Sequence, residues 1–263
     1  MKKTALLIGL GLLNLSYGLD EYLSIEKGKT EVDVGYWFTS ITGGYDADGE
    51  KQDATGSPVI NQLPLQVKYG IMSGLDVELF MLGVSSNKDG GDKGGFDQPQ
   101  LAVKYTDAGL GLGGYLNVIL PFATGNLDQP DPALGLGLGA VYQNRFGDFR
   151  MTGTAGYQLN FENSDKLKEG NILSIYAKPE AMWTEYIGTY LGLQYAMSGE
   201  AAFDGTSIKK SDSNLLTILP GVNAQLLKWL AYEVNAPITV MGKNSLASWG
   251  IGGSVYITFP MEN

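Results

Sequence analysis

Five aromatic residues, Tyr69, Tyr105, Phe146, Tyr186 and Trp229, recur at intervals of 36, 41, 40 and 43 residues, and a short polar or glycine-bearing turn follows each. Each aromatic closes one alternating segment and each turn opens the next, so the repeating unit is a hairpin of two strands plus a longer connection. Hairpins with short turns at one rim, long loops at the other and aromatic residues at both interfaces make a transmembrane β-barrel. A soluble propeller also repeats about every 40 to 45 residues, but it fits four shorter strands into each period. Here most alternating segments hold about ten residues, the length a tilted strand needs to cross a membrane.

The alternation has a period of two along the whole chain. Between Thr30 and Ser40, Val32, Val34, Tyr36 and Phe38 share one face, while Glu31, Asp33, Gly35 and Trp37 share the other. Leu63, Leu65, Val67 and Tyr69 alternate with Gln62, Pro64, Gln66 and Lys68. After a GIMSG turn, Leu75, Val77, Leu79 and Met81 alternate with Asp76, Glu78, Phe80 and Leu82. The same reading predicts strands around Leu101–Tyr105, Leu110–Leu120, Leu134–Tyr142, Met151–Phe161, Ile172–Thr184, Ile187–Met197, Leu215–Leu226, Leu230–Val240 and Trp249–Phe259. The expected fold class is therefore all-β, a single antiparallel transmembrane β-barrel of about 12 strands, an even number as bacterial barrels have.

The first residues, MKKTALLIGLGLLNLSYG, set two lysines before an apolar run from Ala5 to Leu13 and small residues at Ser16 and Gly18. This is the order of a secretory signal peptide, and the run is too short to span a bilayer as a helix. Cleavage is expected after Gly18, leaving residues 19–263 as one barrel domain in the bacterial outer membrane. The chain carries a net charge of −10, which argues against nucleic acid as a partner, because that ligand wants clustered Lys and Arg. It contains no histidine, which excludes serine triads and the common zinc sites. The absence of cysteine decides nothing, since exported proteins need no disulfide.

Glycine, 37 of 263 residues, falls largely within strands, where it marks a bend or a bulky neighbour leaning over it. Pro64, Pro179, Pro220 and Pro237 interrupt predicted strands and are expected at bulges or near the rim. Long polar connections are expected at Thr42–Val59, Ser85–Asp97, Pro121–Asp131, Glu162–Gly170, Ser198–Ser213 and Met241–Ser245. The acidic run Asp46–Asp53 partly matches a calcium loop but lacks its ligand register and terminal glutamate, so a solvated loop is expected there.

The inward face of this barrel carries Glu31, Asp33, Asp76, Glu78, Glu180 and Glu233 together with Lys68, Lys104, Arg150 and Lys178, with Gln66 among them. Such a set either lines a polar pore that sorts solutes by charge or pairs across strands and plugs a narrow interior. Eight strands leave an interior that side chains fill and sixteen or more leave a channel, so a twelve-stranded wall lies between the two. Trp37, Phe80, Tyr115, Tyr176, Tyr190 and Tyr256 fall on the same face, where they either stack on an aromatic solute or simply fill space. Asp76 and Glu78 form a carboxylate pair on one strand face, but lining a wall is their simpler role, and no enzyme activity, metal or cofactor is expected.

Three stretches resemble the outer-membrane proteins of the phenol meta-pathway degradation (MetA-type) transporter family. LPLQVKYGIMSGLDVELF, Leu63 to Phe80, is similar to that family's strand, Tyr-Gly, short turn, strand unit. QPQLAVKYTDAGLGLGGYLNVILPFATG carries Leu120, Pro121, Thr124 and Gly125, similar to its leucine-proline and threonine-glycine strand exit; the third stretch is ILPGVNAQLLKWLAYEVNAPI, Ile218 to Ile238. The resemblance implies a barrel of twelve or so strands that passes small, often aromatic, molecules, with outer-membrane lipid, a small-molecule solute and the barrel-insertion machinery as partners. Such barrels often end on an aromatic residue that the machinery reads, whereas here Phe259 is followed by Pro260, Met261, Glu262 and Asn263.

Overall fold

The computed structural model describes residues 24–260 apart from 55, 57, 88–92 and 126–130. The expected cleavage point after Gly18 and the residues beyond Pro260 lie outside the described residues. Twelve strands form the wall: β1 (Thr30–Tyr45), β2 (Val59–Met72), β3 (Leu75–Ser86), β4 (Gln100–Asp107), β5 (Leu112–Ile119), β6 (Gly135–Phe146), β7 (Phe149–Asn160), β8 (Ile172–Met182), β9 (Ile187–Ser198), β10 (Ser213–Leu227), β11 and β12 (Ser245–Phe259). Strand β11 comes in two segments, Leu230–Asn235 and Ile238–Lys243. Every strand pairs antiparallel with its sequence neighbour, and β1 pairs with β12 from Thr30↔Phe259 to Tyr45↔Ser245, which closes the barrel. Closure leaves no ladder edge open to lipid, where an unpaired backbone group finds no water.

The period of two gives each strand its two faces. Val34, Tyr36, Leu63, Leu101, Val103, Leu116, Leu138, Leu191, Val234 and Ile251 point outward and stay exposed, as lipid-facing residues must. Their strand neighbours Asp33, Gln62, Ala102, Asn117, Tyr190 and Glu233 point inward and are buried. Tyr69, Tyr105, Phe146 and Tyr186 lie exposed at the short-turn end and Phe259 faces outward on the same side. Turns are tight at this end: Gly74 adopts φ +82°, and a Cβ there would fall 2.4 Å from the Thr106 carbonyl oxygen.

Several expectations are corrected. The prolines are not rim features. Pro64, Pro179 and Pro220 sit inside β2, β8 and β10, fully in register with one neighbour, as in Pro64↔Leu82, Pro179↔Met151 and Pro220↔Leu191. On the other side the ladder skips, from Val34↔Leu65 to Trp37↔Gln62 beside Pro64, because a missing N–H faces only one neighbouring strand. Pro237 divides β11. The expected long connection at Met241–Ser245 is a one-residue turn, made by Asn244 at φ +46°, a conformation asparagine tolerates. Thr42–Tyr45 continues β1, its Gly43–Tyr45 pairs with Lys51–Asp53, and Lys93–Phe96 pairs with β3, so these connections are partly strand. Trp229 lies in the turn between β10 and β11 rather than at a strand end, and lines a cavity at the short-turn mouth.

Candidate functional site

The site is the barrel interior, and the strands build it in two zones. At the short-turn end, β1 to β4 bring together Glu31, Lys68, Asp76, Glu78 and Lys104. Lys68 Nζ lies 2.8 Å from Glu31, and Lys104 Nζ lies 2.7 Å from Glu78 and 3.8 Å from Asp76. Gln66 Nε2 donates to Glu78 at 3.2 Å, and the Lys68 ammonium stands 5.8 Å from the Tyr256 ring centre. Across the interior, Arg150 and Asn223 both donate to Glu180. Lys178 Nζ lies 2.8 Å from Glu233, and Tyr190 OH donates to the same carboxylate at 2.7 Å. Asn235 links this second cluster to the first strand, donating to Glu233 at 3.2 Å and accepting from Trp37 Nε1 at 3.2 Å.

Burial of these groups is deep: Lys68 and Asp76 are 0% exposed, and Lys178 and Glu180 1%. Charges this far from water stay ionised only when each has close partners. Of the residues expected inside on sequence grounds, Glu31, Lys68, Asp76, Glu78 and Lys104 meet in one cluster while Arg150, Lys178, Glu180, Tyr190 and Glu233 meet in another. Asp33, also inward, is buried beside them on β1. The charged residues expected on this face are six carboxylates and four cations.

Farther from the short turns the same strand faces turn apolar. Ile41, Ile60, Phe80, Leu82 and Val84 pack together with Leu246, and Ile172, Ala196 and Leu215 form a second group across the barrel. Phe80 belongs to this zone. The aromatic residues nearer the ionic clusters lie along the wall over glycines. A Cβ on Gly139 would meet the Tyr115 ring at 2.4 Å, one on Gly221 the Tyr190 ring at 2.3 Å, and one on Gly252 the Trp37 ring at 2.2 Å. Tyr176 leans over Gly192 in the same way, with its hydroxyl 3.0 Å from such an atom. The glycine-rich strands are therefore seats for large side chains of their neighbours.

Sequence reasoning missed the segment before β1. Ser24 N donates to Thr106 Oγ1 at 3.1 Å and Ile25 N donates to both oxygens of Asp76, at 3.1 and 3.2 Å. Gly28 N donates to Gly70 O and Gly70 N to Lys29 O. Gly70 has to be glycine here, since a Cβ would sit 2.4 Å from Glu26 O and 2.8 Å from Ile25 O. Beside this segment, at the short-turn mouth, a cavity of about 330 Å³ is lined by Arg150, Lys228, Tyr186, Trp229 and Tyr256 among others. The acidic run after β1 uses its first carboxylate locally: Asp46 Oδ1 accepts from the amides of Asp48 and Glu50, and these backbone bonds hold its carboxyl below the usual range.

No protein-family model matches the chain, and no curated protein matches it. Among solved structures it is similar to the COG4313 outer membrane channel from Pseudomonas putida F1, with a TM-score of 0.79 at 16% identity over 92% of this chain and 100% of that one. The chain is an outer-membrane β-barrel. This barrel is also similar to the translocator domain of the autotransporter NalP from Neisseria meningitidis, with a TM-score of 0.55 at 11% identity, covering 97% of this chain and 95% of that one. For the β domain of the Bordetella autotransporter BrkA the TM-score is 0.56 at 10% identity, covering 89% and 100%. Identities this low speak to the fold alone.

Proposed function

We propose that this barrel carries small hydrophilic or aromatic solutes passively across the outer membrane, with no catalytic step and no cofactor, in the manner of the MetA-type phenol-degradation transporters. The observation that carries the reading is the zoned interior: charged, paired groups on one stretch of the inner wall and apolar and aromatic groups on the next, the two kinds of contact such solutes need. The Pseudomonas putida F1 protein of the same fold is named a channel, which supports it. Outer-membrane lipid meets the outward belt, where Phe259 at the end of β12 is either the residue offered to the insertion machinery or an interface anchor.

The burial of Lys68, Lys104 and Lys178 in ion pairs favours a second reading, a closed barrel that passes nothing and displays its loops. Single-channel conductance of the refolded protein in a planar bilayer separates the two. Discrete steps altered by added aromatic or charged solutes support passage; a folded barrel without steps supports the closed reading. In a conducting barrel, replacing Glu31, Asp33, Asp76 and Glu78 by their amides leaves Lys68 and Lys104 without their counter-charges, so selectivity shifts toward anions. Unchanged selectivity removes these four carboxylates from the pathway.

A further inference from the structure

Gln62 is the exception among the amides of the inner wall. Gln66 donates to Glu78, Asn117 to Gln100, Gln143 to Thr152, Gln158 to Asn160, Asn223 to Glu180 and Asn235 to Glu233. Gln62 lies on the same inward face of β2, four residues from Gln66, and is 1% exposed, yet among the described residues neither its Nε2 nor its Oε1 has a hydrogen-bond partner. Its cross-strand neighbours explain why. The register sets it between Trp37 on β1 and Val84 on β3, and Ile60 precedes it on its own face. Trp37 spends its N–H on Asn235, and Val84 and Ile60 have no polar side-chain atom to offer.

A buried amide with neither group satisfied costs stability that leucine or methionine at the same place would not. Position 62 is therefore poorly explained as packing. It places one donor and one acceptor beside Ile60 and Val84, two members of the apolar group they form with Ile41, Phe80 and Leu82. We infer that Gln62 is a specificity-determining station in the interior, one that hydrogen-bonds a neutral, mainly apolar solute through a single hydroxyl or carbonyl group. The chemistry selects against two other classes. A carboxylate or ammonium would have to shed its water with only one neutral amide in return, which is too little. A pure hydrocarbon would leave the amide as unsatisfied as before, and a site built to hydrogen-bond a hydroxyl rejects the analogue lacking it.

This inference deepens the transport reading and rests on it, but its test reads binding directly. Side-chain amide resonances of the ¹⁵N-labelled protein in detergent are followed while p-cresol or toluene is added, with the Gln62 pair assigned by its disappearance in Gln62→Leu, or in Gln62→Met should the first variant not fold. The expected result is a saturable shift of that one pair with p-cresol and none with toluene, together with at least a tenfold loss of p-cresol over toluene preference in liposome uptake by Gln62→Leu. No shift with p-cresol, or an equal shift with toluene, overturns the station. Uptake by the wild type without a shift at Gln62 keeps the transport reading and removes this residue from it; a shift without uptake keeps the binding station and defeats passage.

Discussion

On β2 the inward face runs from Lys68 and Gln66 to Gln62 and Ile60, and on β3 from Asp76 and Glu78 to Phe80, Leu82 and Val84. The two halves of the interior thus share strands, face and burial, and differ only in chemistry. Near the short turns the wall is held by ion pairs with added hydrogen bonds from Gln66, Asn223, Tyr190 and Asn235. Beyond them it is held by apolar contact. The first arrangement is a poor way to gain stability and the second a good one, since desolvating two charges consumes most of what their attraction returns. The ionic half is therefore where a functional reason has to be sought.

The sharpest way to break that contrast is at Lys178. Replacing Lys178 alone by leucine strands the Glu233 carboxylate, and the expected loss is about 3–5 kcal/mol, read as a lower urea midpoint in detergent. Replacing Lys178 and Glu233 together by leucine is expected to recover most of that loss, because buried pairs exchanged for apolar groups are often neutral. Conductance or selectivity should nonetheless change in the double variant. A double variant as unstable as the single one would mean that the ionic half holds the wall together, and the contrast between the halves would fail.

A smaller effect is expected at Gly70. Alanine there collides with Glu26 O and Ile25 O, so either the wall shifts, at a cost of about 1–3 kcal/mol, or Ser24–Ile25 leaves the mouth and Asp76 loses the Ile25 amide. The second outcome raises single-channel conductance while the melting point barely moves. No change in either quantity would show that the segment and the wall do not press on each other.

How much of this was legible from the residues differs between the same two halves. Period-two alternation placed Lys68, Asp76, Glu78, Lys178 and Glu180 inside, because a charge in the lipid face is costly and the face is set by parity alone. Parity says nothing about which neighbour a residue meets. The register that sets Gln62 between Trp37 and Val84, while Gln66 reaches Glu78, is fixed only by the pairing of β2 with both its neighbours. No pattern along one strand contains that. The same limit hid the partners of Asn223 and Asn235. The turn at Asn244 was missed for a different reason: one residue in the left-handed region makes the whole reversal, and no Gly or Pro cluster announces it. The segment around Ile25 has no periodicity, so only its contacts with Asp76, Thr106 and Gly70 reveal its place.

Beyond the apolar half, a third environment begins at Glu169, in the connection between β7 and β8. Enclosure by protein pushes its carboxyl up to about 7, and the Asp97 charge adds to the shift. Asp97 is itself buried, with its carboxylate accepting from the Gln98 amide at 2.7 Å. The folded chain therefore holds the Glu169 proton more tightly than the unfolded chain, whose carboxyl titrates near 4.5. It follows that this contribution to stability is fully present below about 4.5 and is lost as pH rises through about 7, the reverse of a salt-bridged carboxylate such as those of the ionic half. The Glu169 residue as a whole is open to solvent, so screening keeps the effect the smallest of the three and shrinks it further in high salt. Melting temperatures between pH 4.5 and 8 should fall less steeply for Glu169→Gln than for the wild type, and Asp97→Asn should move the wild-type inflection to lower pH. Identical profiles for all three proteins would place Glu169 in free solvent.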